Sequence, residues 1–114
     1  MENCLFCKII SGEIPSQKVY EDENCFAFRD VSPKAPVHIL LVPKIHVANI
    51  HSIQDEDGDI AKNLFSAISK IVKEQNLAQD GYRLVTNCGE NGGQTVFHLH
   101  IHILGGIKMG WNPA

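Results

Sequence analysis

The stretch Gln94–Gly106, QTVFHLHIHILGG, places histidines at 98, 100 and 102 and alternates them with Phe97, Leu99, Ile101 and Ile103. Side chains two residues apart on a β-strand share a face, at a spacing of about 6.5–7 Å. The run therefore predicts a strand over Phe97–Leu104 with three imidazoles on one face and four apolar side chains turned into a core. A buried polar group without a hydrogen bond is destabilising. A face that carries three such groups must give each a partner or a chemical task.

Two chemistries suit that face. Imidazoles spaced along a strand can ligate zinc or iron. A neutral imidazole can also attack an electrophile while its neighbours stabilise developing charge. The loop before the strand, Asn87 to Thr95, adds to the pattern. Gly89, Gly92 and Gly93 allow close backbone approach to a ligand, and exposed N–H groups can cradle phosphate oxygens. Gln94 and Thr95 bring side-chain donors to the strand entrance.

The pair Cys4-Leu-Phe-Cys7 is half a zinc site or a redox dithiol. A thioredoxin-type motif would follow a strand, and nothing strand-like precedes Cys4. Zinc would need two further ligands, for which His46 and one histidine of the triad are candidates. Cys25 reads as a buried small residue and Cys88 as loop filler.

The 114 residues predict a single domain, 1–114. With 44% apolar and 20% charged residues the composition is that of an ordinary globular protein. A net charge of −3 gives no electrostatic reason to expect nucleic acid or a membrane surface as a partner. No apolar run approaches the ~20 residues needed to span a bilayer. The start, MENCLFCKII, lacks a basic region and cleavage site, so a cytoplasmic protein with reduced or metal-bound thiols is expected.

Along the chain, Cys4–Ser11 predicts a short helix stopped by Gly12. Lys18–Glu21 and Asn24–Arg29 read as strands joined by an acidic turn around Asp22. Val37–Pro43 is a nearly continuous apolar strand that carries His38. Asp55–Gln75 has apolar residues at 60, 64, 65, 68, 71 and 72, a helical stripe for core packing. Tyr82–Asn87 and Phe97–Leu104 complete an α+β domain on a mainly antiparallel five-stranded sheet, with one long and one short helix. Trp111, in the glycine-rich tail, is either a core lid or an interface residue.

The motif His98-Leu-His100-Ile-His102, followed by Ile103-Leu104, resembles the HxHxHxx signature of the histidine triad proteins. The segments CLFCKIISGEIPS, CFAFRDVSPKAPVHILLVPKIH, GYRLVTNCGENGGQTVFHLHIHILGG and MGWNP extend the resemblance toward the Hint branch of nucleotide phosphoramidases, in its zinc-bearing bacterial form. The resemblance implies a homodimer whose sheets join into one ten-stranded sheet. It implies hydrolysis of adenylyl groups from phosphoramidates through a nucleotidyl-histidine, with a purine nucleoside monophosphate or AMP conjugate as ligand. His100 matches the nucleophile and His38 the fourth active-site histidine. Asp30 matches the acid on the ribose hydroxyls, flanked by Phe28 and Val31 where the base packs. Asn87, Gly93, Gln94, Thr95 and His102 match positions around the phosphate, with His102 or Thr95 protonating the leaving amine. Cys4, Cys7, His46 and His98 match the ligands of one structural zinc ion per chain; no organic cofactor is implied.

Three competitors stand beside this reading. One is a metallohydrolase that uses 98, 100 and 102 as ligands. Another is a dinucleoside polyphosphate hydrolase of the same family. The third is a non-catalytic nucleotide-binding protein that keeps the fold.

Overall fold

A computed structural model of the chain describes residues 3–111. Its five strands are β1 (Lys18–Glu21), β2 (Cys25–Arg29), β3 (Val37–Pro43), β4 (Tyr82–Val85) and β5 (Ile101–Gly105). They form one antiparallel sheet in the order β1-β2-β3-β5-β4. Two helices, α1 (Leu5–Ile10) and α2 (Ile60–Glu74), complete the expected α+β architecture. Among the described residues no helix is long and apolar enough to cross a membrane.

The central strands are apolar at nearly every position because both sheet faces are covered. Cys25, Ala27, Ile39, Leu41, Ile101 and Ile103 pack with the α2 residues Ile60, Leu64, Ala67, Ile68, Ile71 and Val72. The residues between them, Phe26, Phe28, Leu40 and Val42, pack instead with Phe6 and Ile9 of α1. The register places His102 opposite Leu40, and His38 two residues before Leu40 on β3. The side-chain alternation of strands therefore puts both histidines on the α1 face.

The turn between β1 and β2 is built by Asp22, whose Oδ1 accepts the backbone N–H of Asn24 (2.7 Å) and of Cys25 (2.8 Å). The predicted long helix is divided. Asp55–Asp57 forms a 3-10 turn, Gly58 takes a positive φ of 67°, and the α-helix begins at Ile60. Its predicted stripe holds except at Phe65, which is exposed. The helix ends in a Schellman motif, with Asn76 at φ 59°, Leu77 N–H on Val72 O (2.8 Å) and Asn76 N–H on Lys73 O (3.2 Å). Leu77 then lies across β5, where a Cβ at Gly105 would come within 2.6 Å of its Cδ2.

The histidine run corrects the expectation of one strand over Phe97–Leu104. Ladder pairing begins only at Ile101. Upstream, the backbone groups are taken by other partners. Leu99 N–H donates to Val47 O (2.7 Å), the His98 carbonyl accepts from the His100 ring (2.8 Å), and the His100 carbonyl accepts from the Thr86 hydroxyl (2.8 Å). The alternation survives for Leu99, Ile101 and Ile103, which are buried, but Phe97 points to solvent and is 59% exposed. Likewise β4 stops at Val85, two residues short of the predicted Asn87, whose amide is turned into the glycine loop. Trp111 is 93% exposed and so is no core lid; Asn112–Ala114, the rest of the tail motif, lie outside the described residues.

Candidate active site

The three histidines of the run, with His38, fall into two separate constellations on the α1 face. In the first, His38 Nδ1 accepts the backbone N–H of Lys34 at 3.0 Å. A neutral ring whose Nδ1 accepts carries its proton on Nε2. That Nε2–H faces His102 Nδ1 at 2.9 Å, with Asp30 Oδ2 3.5 Å away. His102 Nδ1 is then the acceptor, and the proton of its own ring sits on Nε2. A donor chain thus runs from the Lys34 backbone through two imidazoles.

His100 is oriented the opposite way. Its Nδ1–H donates to the His98 carbonyl at 2.8 Å, which leaves Nε2 with a lone pair. Phe6 of α1 packs edge-on against this ring, with centroids 4.9 Å apart, and the His102 ring lies 5.2 Å away on another side. The sheet face thus presents a ring nitrogen able to attack beside a ring N–H able to donate. Sequence reasoning missed Phe6 and Thr86, which fix the ring and the carbonyl of His100; an aromatic between two cysteines of a helix was the available signal for Phe6.

The remaining sequence candidates are distributed around this face. Asp30 uses Oδ1 to accept Ser32 N–H (2.7 Å), an Asx turn that holds the β2–β3 loop. Phe28 is buried against Phe6, with ring centroids 5.5 Å apart, whereas Val31 is 97% exposed. In the glycine loop, Asn87 Nδ2 donates to Gly92 O (2.7 Å) and Gly93 N–H to Glu90 O (3.0 Å). Gly92 has no room for a side chain, since a Cβ there would lie 2.4 Å from Cys88 O. Gln94 is buried with its amide fully engaged, accepting from Gly89 N–H (2.9 Å) and donating to Ala48 O (2.7 Å) and Val96 O (3.1 Å). Its side chain is a strut of the loop, not an open donor. Thr95 is exposed, and its hydroxyl has no partner among the described residues. Cys88 and His51 meet at the surface (3.6 Å), and Cys25 is buried in the core.

The second constellation holds Cys4, Cys7, His46 and His98, whose ligand atoms all lie within 4.8 Å of one another. His98 donates from Nε2 to Pro43 O at 2.8 Å, so its Nδ1 carries a lone pair. That lone pair faces Cys4 Sγ (3.3 Å), Cys7 Sγ (3.5 Å) and His46 Nδ1 (3.1 Å). Cys4 also caps α1, its Sγ accepting Cys7 N–H at 3.3 Å. Two sulfurs and two ring nitrogens converging on one point fit a tetrahedral metal ion. The competing three-histidine metal centre is not assembled. His98 belongs to this group, His102 to a group with Asp30 and His38, and His100 to neither. The group of Asp30, His38 and His102 is itself a poor metal site, because the Lys34 N–H keeps a proton on His38 Nε2.

Burial disfavours the charged form of His38, His98, His100 and His102. It lowers His38 and His98, and it lowers His100, in each case as the largest cause. His102 falls furthest, to about 4, through burial first and then the neighbouring His100 and His38 rings. The sign follows from linkage. A histidine that resists protonation when folded contributes stability in full above its unfolded pKa of about 6.5 and loses it as pH falls through the folded value. Denaturant titrations of the wild type are thus expected to show stability level near pH 7 and declining from about 6.5 toward 4. His102→Gln should flatten part of that decline; an unchanged pH slope would contradict the assignment.

The HIT domain family model matches residues 11–109. The chain belongs to the HIT domain family. Its class is that of the HIT hydrolases, as its structural relatives indicate. It superposes on a HIT family hydrolase from Clostridium thermocellum with a TM-score of 0.93 at 50% identity, covering 96% of both chains. A histidine triad protein from Clostridium difficile gives 0.92 at 50% identity, again over 96% of each. The purine nucleoside phosphoramidase of Escherichia coli K12 is 42% identical over 109 residues, 96% of this chain and 92% of that protein.

Proposed function

We propose that this HIT protein cleaves the α-phosphate bond of adenosine phosphoramidates or related AMP conjugates through a nucleotidyl-histidine on His100. The observation that carries the reading is the His100 Nδ1–H bond to the His98 carbonyl, which leaves Nε2 as a nucleophile. Nε2 attacks phosphorus, an N–P bond forms and the P–N bond to the amine breaks. The amine leaves with a proton supplied from solvent through the Thr95 hydroxyl or His102. Water then attacks the same phosphorus, releasing AMP and restoring His100. The net reaction consumes one water.

Asp30 is the ribose contact, and Phe28 and Val31 border the base. Asn87, Gly93, Thr95 and His102 surround the phosphate, with Gln94 bracing their loop from behind. His38 and Lys34 keep the His102 proton on Nε2. The resemblance to a purine nucleoside phosphoramidase supports this substrate class. Release of AMP from adenosine 5′-phosphoramidate by the purified chain is the direct test; no release from any AMP–amine conjugate would refute it. His102→Ala is expected to lower kcat by about 10²–10⁴-fold, the usual range for a lost acid or base. A loss under threefold would remove His102 from the chemistry.

The Cys4, Cys7, His46 and His98 cluster would hold one zinc ion, a structural role that pins α1 against the segment entering β5. The protein is also proposed to be a homodimer joined through the outer edge of the sheet. β4 is an edge strand whose Tyr82 and Leu84 are 42% and 37% exposed, and bare apolar edges are normally covered. Sedimentation at micromolar concentration should give a dimer, and Leu84→Glu should give a monomer. A monomeric wild type would exclude this arrangement.

A further inference from the structure

Away from the histidine face, a nucleophile and a base meet that take no part in the chemistry above. Cys88 Sγ and His51 Nδ1 lie 3.6 Å apart, within hydrogen-bond reach for sulfur, and the ring nitrogen can accept the thiol proton. The two come from different segments. His51 stands on a 3-10 turn, Ile50–Ser52, which the Asn49 side chain caps by accepting Ser52 N–H at 3.0 Å. Cys88 follows Asn87 at the start of the glycine loop. It is half-buried and His51 is exposed, so the pair meets solvent. The other three thiols are placed differently. Cys4 and Cys7 belong to the Cys/His cluster. Cys25 is buried, and its thiol is pushed up to about 11, first by that burial and then by Asp22.

We propose that Cys88 and His51 form a thiol-modification site, at which a low-molecular-weight disulfide converts Cys88 to a mixed disulfide and distorts the glycine loop. His51 Nδ1 takes the Cys88 proton, and the thiolate attacks one sulfur of the disulfide. A new S–S bond forms at Cys88 and the old one breaks. The departing thiolate leaves with the electron pair and takes the proton back from His51. One protein thiol and one disulfide thus give one mixed disulfide and one free thiol. The loop has no slack to absorb a shift of Cys88. A Cβ at Gly92 would already lie 2.4 Å from Cys88 O and 2.8 Å from Cys88 N, and the Asn87 amide bonds Gly92 O. The segment that carries His51 is tied to the same loop a second time, through Gln94 between Gly89 N–H and Ala48 O. An adduct on the sulfur replaces the Cys88–His51 contact and pushes the two segments apart, and Asn87 and Gly93 move with them. That consequence rests on the nucleotide reading, which sets both residues around the phosphate; the chemistry at the thiol does not.

Incubating the full chain with glutathione disulfide and mapping its peptides by mass over time follows each thiol separately. Cys88 should take up the glutathionyl group faster than Cys25, and dithiothreitol should remove it. His51→Asn keeps a hydrogen-bond acceptor but no proton base, and it should slow the reaction at Cys88 by about tenfold or more. Thermal melts exclude misfolding of the variant as the cause, His51 being a surface residue. Equal rates at Cys88 in the two proteins, or no adduct there, would overturn the site. The modified wild type should bind AMP about fivefold more weakly or worse, the lower end of ordinary coupling between sites. Cys88→Ser treated with the same reagent should keep its affinity. Unchanged AMP affinity in the fully modified protein would overturn the effect on the loop. Failure of the reduced protein to bind AMP at all would refute the nucleotide reading instead, and the rates at Cys88 would still decide the modification site.

Discussion

His100→Ala is expected to lower phosphoramidate turnover by on the order of 10⁴-fold or more, the scale seen when a covalent nucleophile is deleted. No neighbouring group can take over. His98 offers its free ring nitrogen to Cys4, Cys7 and His46, and the accepting nitrogen of His102 is occupied by His38. AMP affinity should change by less than about tenfold, because one lost hydrogen bond is worth roughly 0.5–1.5 kcal/mol. Alkaline denaturing quench with labelled substrate should trap an adenylyl-protein in the wild type, stable in base and labile in acid, and none in the variant. Trapping the adduct in His100→Ala would move the nucleophile elsewhere, and finding it in neither protein would argue for direct attack by water.

The largest effect on stability is expected from Cys4→Ser combined with Cys7→Ser. If the cluster holds zinc, its binding free energy is coupled to folding. The double variant should contain no zinc by elemental analysis and melt at least about 10 °C below the wild type, corresponding to a loss of a few kcal/mol for a domain of this size. Loosening α1 also frees Phe6, which packs on the His100 ring. Turnover should therefore fall without vanishing. A folded, metal-free variant with no activity at all would give the ion a chemical role, and an unchanged melt would mean that the cluster holds no metal.

Much of this architecture was legible from hydrophobic patterning. The apolar runs gave five strands in the right order because β2 and β3 are buried on both faces. The stripe at 60, 64, 68, 71 and 72 gave α2 because one face packs on the sheet. The histidine alternation located the site face. What patterning missed is contact made by backbone atoms or set by tertiary position. Alternation alone placed Phe97 in the core, but ladder pairing does not reach it, and the side chain turns to solvent. Gln94 read as an open donor because nothing in the sequence reveals that Ala48 O and Val96 O consume its amide. Phe6 drew no role from the sequence, since its contact with His100 spans ninety-four positions of the chain.

The protons of the site are assigned by main-chain atoms. The Lys34 amide sets His38 and through it His102, the Pro43 carbonyl sets His98, and the His98 carbonyl sets His100. An alanine scan leaves each of these backbone groups in place, and so would pass over the features that decide which nitrogen attacks and which donates. Only a change that deletes an amide hydrogen, such as Lys34→Pro, or an ester in place of a peptide bond, would expose them. The ionisation pattern of this centre is therefore inherited through the path of the backbone, and it can persist while the side chains that surround it drift.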